Sequence, residues 1–147
     1  MTFDVGDLML QSVPFARTLG VSFDTVEPGH VVARLPDRDD LHNHVGGPHA
    51  GVLFSVAETA SGATMLSVFG DQLSRATPLV TNATIRYSKI AKGEIVAEAR
   101  LQASKEEVMA GLDAGERPEF DVLIEIRTAD GTPVSEMTVT WTLSRRR

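Results

Sequence analysis

The longest apolar stretch of the chain runs from His49 to Phe69. Leu53, Val56, Ala57, Ala60, Ala63 and Thr64 recur there at helical spacing, and apolar groups fall on the other faces as well. A helix that is apolar nearly all round is buried on most sides. Its small residues (Ala57, Ala60, Ser61, Gly62, Ala63) let other backbone approach closely. After it the period changes to two. "TPLVTNATIRYS", "GEIVAEARLQA", "EFDVLIEIRTA" and "TPVSEMTVTWTLS" alternate over long stretches, with Gly93, Asp130-Gly131 and Pro133 as turn signals. The Asp-Gly pair predicts a hairpin between the last two strands.

Before the long helix the signals are shorter. Val5, Leu8, Met9 and Val13 share one face of a helix over Asp4–Leu19, with Asp4 as its cap, Pro14 as a break and Gly20 as its stop. "VSFDTVE" and "HVVARLP" read as strands about the Pro28-Gly29 turn, and "DRDDLHNHVGGP" reads as a loop. Lys105 to Pro118 is a polar insertion, expected as a loop with a helical turn. The terminal "RRR" is expected to be a solvated tail. The order is helix, two strands, loop, long buried helix, four strands. The solution is an α+β arrangement in which a curved antiparallel sheet wraps one helix, as a single domain over residues 1–147.

Composition narrows the function classes. With 147 residues the chain is long enough to bury a core, and with 42% apolar and 23% charged residues it is not of disordered type. A net charge of −6 argues against a general nucleic-acid partner. The absence of cysteine excludes disulfides, thiol catalysis and Cys-ligated zinc. "MTFDVGDLML" carries acid where an export signal carries base, so the expectation is a cytoplasmic protein. Ala50–Phe69 has the length of a membrane span, but Glu58 at its centre costs a few kcal/mol in lipid. No membrane partner is expected.

Glu58 is the only formally charged residue between Asp40 and Asp71. Acidic residues in apolar segments are rare unless paired or functional. The segment around it, "NHVGGPHAGVLFSVAETASGA", resembles the active-site segment of the hotdog-fold acyl-CoA thioesterases, particularly the phenylacetate-pathway type. Asn43, Gly46, His49, Gly51 and Ala60 match that family's pattern; Ala50 replaces a Gly, and Glu58 stands where Asp is usual. "PFARTLGVSF" and "IRYSKIAKGEIVAEARL" extend the resemblance more weakly along the chain.

The resemblance implies a hotdog fold, hydrolysis of an acyl-CoA to free acid and CoA without a cofactor, and an active site at the interface of a homodimer, with a homotetramer as a further assembly. Glu58 is then general base or nucleophile, and the Ala50 backbone N–H is the oxyanion donor at a helix N-terminus. Asn43 and His49 orient water, substrate or the loop, and Gly51 lies against the substrate. Thr81 or Asn82 helps place the water. Arg86, Lys89 and Lys92 are the candidates for the phosphates of coenzyme A. No metal is expected: His42, His44 and His49 lack an acidic or thiolate ligand at a known spacing.

Two alternatives stand beside this reading. In the hotdog dehydratase pattern the acid comes five residues after the Gly; here it comes seven after Gly51. The other is an acyl-CoA-binding hotdog without turnover.

Overall fold

Local signals explain where each element begins and ends in the computed structural model, which describes residues 4–146. Helix α1 spans Val5–Ser12 and is capped by Asp4, whose carboxylate accepts from the Asp7 N–H at 2.9 Å. Pro14 ends that run and opens α2, Pro14–Leu19, which stops at Gly20 in the left-handed conformation (φ 81°). Strands β1, Ser22–Glu27, and β2, His30–Leu35, follow as a hairpin about Pro28-Gly29. Then come α3, Ala50–Phe69, and the strands β3, Ala76–Tyr87, and β4, Ile95–Leu101. Helix α4, Lys105–Asp113, precedes β5, Glu119–Thr128, and β6, Pro133–Arg145.

The six strands form one antiparallel sheet in the order β1-β2-β4-β5-β6-β3. Its inner face takes every second residue. In β5 these are Phe120, Val122, Ile124 and Ile126, all buried, and in β6 Met137, Val139, Trp141 and Leu143. They close on α3, where Val56, Ala57, Ala60, Ala63 and Phe69 have no exposed surface. Phe69 and Phe120 meet with ring centroids 4.7 Å apart. Helix α3 is long and apolar enough to cross a membrane, yet 67% of its most apolar window lies buried inside the protein.

Burial of α3 is not uniform. Gly51, Ser55 and Glu58 remain exposed or half-exposed. At spacings of four and three they share one face with Gly62. That face is open from Gly51 to Glu58, whereas Gly62 is buried beside Met9 and Trp141. On the same side β3 is a free edge, twelve residues long, with Leu79, Val80 and Tyr87 at 44%, 41% and 46% exposure.

Two expectations are corrected. Lys105–Asp113 is a full helix rather than a loop with a turn. Ser104 caps it by accepting from the Glu107 N–H at 3.1 Å, and Val108 and Leu112, one turn apart, bury into the core. Of the C-terminal arginines, Arg145 and Arg146 are exposed but anchored rather than a free solvated tail. Arg145 donates to the Leu112 carbonyl through Nε and Nη2 (3.1 and 2.6 Å), and Arg146 donates to the Leu73 carbonyl (2.9 Å). These three bonds satisfy helix-end and loop carbonyls and lock the last strand down. Arg147 lies outside the described residues.

Candidate functional site

The loop before α3 is built around Asn43. Its side-chain oxygen accepts from the N–H groups of Val45 (3.0 Å) and Gly47 (3.1 Å), while its own N–H donates to the Gly47 carbonyl at 2.7 Å. Asn favours this kind of turn because its short amide can replace backbone partners. Gly47 is required by close approach: a Cβ there would lie 2.1 Å from the Ala91 carbonyl oxygen. Gly46 takes a positive φ of 77°. Lys92 fastens the loop from outside by donating to the Val45 carbonyl. Asn43→Ala leaves the part-buried Gly47 N–H without its partner and is expected to cost about 1–3 kcal/mol. Thermal unfolding measures that loss.

The loop delivers the chain into α3 with His49 as its cap. The His49 Nδ1 accepts from the Gly51 N–H at 2.8 Å, so this nitrogen is the unprotonated one. The N–H groups of Val52 and Leu53 donate to the His49 carbonyl at 2.8 and 3.1 Å. Of the first turn, only the Ala50 N–H has no partner among the described residues, and Ala50 is exposed. It sits at the positive end of a twenty-residue helix. This arrangement can hold a carbonyl oxygen that gains negative charge. The Tyr87 hydroxyl donates to the Ala50 carbonyl at 3.0 Å and ties the end of β3 to the helix start.

Glu58 lies two turns further on, half-buried on the uncovered face. Burial pushes its pKa above the ordinary glutamate value, and among the described residues no hydrogen bond or ion pair offsets this. A carboxylate so placed is a stronger base than one in water. It opens on a cavity of about 290 Å³ between α1 and α3, walled mainly by apolar side chains that include Leu8, Met9, Met65 and Trp141. A wider cleft of about 660 Å³ between α1 and β1 holds none of the candidate residues.

The remaining candidates are scattered along one edge. Thr81 and Asn82 are exposed on β3, where the register with β6 shifts between Val80 and Asn82. Arg86 lies one residue before the end of the same strand, Lys89 follows the strand, and both are exposed. Lys92 is engaged with the Asn43 loop, so the structure gives it a bracing contact. Gly51 is exposed beside Ala50. His42 pairs with Asp37 at 2.6 Å. Among the described residues no three His, Asp or Glu side chains are grouped to hold a metal ion.

Residues 5–143 match the family described as a domain of unknown function, DUF4442. The chain belongs to the DUF4442 family. No curated protein matches it. Among solved structures, a Pseudomonas aeruginosa protein of unknown function, described as a probable thioesterase, aligns with TM-score 0.84 and 29% identity over 97% of this chain and 94% of its own. A thioesterase family protein from Silicibacter pomeroyi aligns with TM-score 0.79 and 21% identity, covering 97% and 96%. The Escherichia coli PaaI protein from the phenylacetic acid degradation operon aligns with TM-score 0.74 and 18% identity, covering 96% and 90%. The last two likenesses bear on the fold alone. This DUF4442 chain thus has the hotdog fold, and the resemblance read from Asn43–Gly62 to the thioesterases of that fold is borne out.

Two features of this DUF4442 protein escaped the sequence reading. Tyr87 is its only tyrosine, at the end of a strand, and its bond to Ala50 spans 37 residues. The apolar walls of the cavity come from α1, α3 and β6, far apart in the chain.

Proposed function

We propose that this protein hydrolyses an acyl-CoA thioester and that its active site is shared between two copies of the chain. The observation that carries the reading is the pairing on one helix of an unpartnered N-terminal N–H, at Ala50, with an unpartnered half-buried carboxylate, at Glu58. Eight residues of helix separate them by about 12 Å. One thioester group is far too small to touch both in the same chain. A second copy, set antiparallel, would bring its Ala50 beside the first copy's Glu58. The long uncovered edge of β3, with Leu79 and Val80 exposed, supports such a pairing, since edges of this kind invite another strand. Two such pairs form the homotetramer in the same reading.

In this site the Ala50 N–H takes the developing negative charge of the thioester oxygen, while Glu58 attacks the carbonyl carbon or removes a proton from the attacking water. Asn43 and His49 hold the loop and helix start at the geometry this requires. Thr81 and Asn82 contact the water, and Gly51 faces the substrate. Arg86 and Lys89 meet the phosphates of coenzyme A, with Lys92 close to the same mouth through the Gly46 loop. Glu58 lies seven residues after Gly51, off the dehydratase spacing.

The test is release of free CoA thiol from a panel of short, long and aromatic acyl-CoAs, with the protein mass in solution measured alongside. Turnover with a dimeric or larger species is expected. Placing a charge on the free edge, in Val80→Lys, is expected to yield monomers and lower kcat/KM by at least about a hundredfold, although the substitution leaves Glu58 and Ala50 in place. Binding of acyl-CoA without turnover on any member of the panel would favour the ligand-binding alternative instead.

A further inference from the structure

The structure assigns a preference for linear, uncharged acyl chains of about eight to ten carbons, set by the groove between α1 and α3; the assignment rests on the thioesterase reading. Glu58, Gly62, Met65 and Leu66 lie along one face of α3 and border the cavity. From Glu58 to Leu66 the helix advances about 12 Å. An extended chain covers about 1.2 Å per bond, so about ten bonds fit that length. The volume agrees. An apolar cavity of about 150 Å³ takes a benzene ring, and this one is about 290 Å³.

The chemistry of the walls fits the same occupant. Leu8 and Met9 of α1 face Met65 of α3, and the two methionines can bend to follow a flexible chain. Trp141 borders the groove from β6, its ring nitrogen donating to the Ser61 hydroxyl at 3.0 Å, so it presents an apolar face with no free donor. Gly62, without a side chain, lets Met9 and Trp141 lie close against α3 at the groove wall. A Cβ at this position would lie 3.3 Å from Met9 Cε and 3.6 Å from Trp141. Among the described residues the only charge bordering the groove is Glu58, at its reactive end, which disfavours an acyl group with a second carboxylate.

Two measurements test this. Because Trp141 is the only tryptophan, quenching of its fluorescence by 8-bromooctan-1-ol reports the groove without any turnover. Saturable quenching is expected in the native protein, and loss of it in Gly62→Leu. On acyl-CoAs, kcat/KM is expected to rise with length by roughly fourfold per buried methylene and to level off near ten carbons. Gly62→Leu should lower the decanoyl-to-butyryl ratio at least tenfold, whereas Met9→Ala, which widens the groove, should move the plateau to longer chains. If no acyl-CoA is hydrolysed, the function above fails while the quenching still decides the groove. A length profile that is flat, or quenching unaffected by Gly62→Leu in a folded variant, overturns the assignment.

Discussion

Glu58→Gln is expected to lower thioester hydrolysis by about a thousandfold, the span usual for loss of a positioned general base. Loss of a carboxylate nucleophile would have at least that effect. Gln keeps the size and removes only the charge. Because burial raises the Glu58 pKa and no described residue compensates, the charged form is disfavoured by folding. A carboxyl group whose folded pKa lies above its unfolded one stabilises the protein fully below the unfolded value, and that contribution is lost as pH rises through the folded value. The variant therefore should melt higher than the native protein at pH 8, with the difference vanishing near pH 4. Calorimetry at the two pH values checks it. An inactive variant that is also less stable at pH 8 would point to a structural role for Glu58. Undiminished turnover would remove Glu58 from the mechanism.

Ala50→Pro is expected to lower turnover by about a hundred- to a thousandfold while leaving the fold intact. The substitution deletes one atom of consequence, the N–H hydrogen, at the first position of a helix, where proline is well accepted. His49 already has the extended conformation (φ −61°, ψ 145°) that a following proline requires. Removal of a single oxyanion donor commonly costs a hundred- to a thousandfold. Mixing this variant with Glu58→Gln then distinguishes a shared site from a private one. If each site takes Ala50 from one copy and Glu58 from the other, a mixed dimer holds one intact site and one doubly damaged site. Random re-pairing of equal amounts should then recover about a quarter of native activity. If both groups served the same site from one chain, the mixture would stay inactive.

Much of this architecture was legible because it rests on period and punctuation. Asp4, Pro14 and Gly20 each do in space what their chemistry predicts, and four alternating runs became four strands. Helix α4 was less legible. Only Val108 and Leu112 anchor it, while Gly111 and Gly115 nearby read as loop. The arginine tail misled for a related reason. A run of like charges usually faces water, and nothing local foretells that the carbonyls of Leu112 and Leu73 await two of its members.

At the site the same division holds. The eight-residue interval from Ala50 to Glu58 is plain in the sequence, and with it their separation along one helix. The importance of Asn43 was legible, but not its manner, since an Asn that gathers three backbone groups looks in sequence like an Asn that touches substrate. Tyr87 and Trp141 gave no local signal because their partners, Ala50 and Ser61, lie in another element.

The position of α1 has a consequence for how such a protein could change over time. Leu8 and Met9 wall the groove from the first dozen residues of the chain, while the proposed reacting groups, Ala50 and Glu58, belong to α3. The two are joined through packing rather than through neighbouring sequence. Chain-length preference can thus be rewritten in an N-terminal segment that carries no part of the chemistry, and a graft of residues 5–12 from a relative would transfer appetite without transferring mechanism.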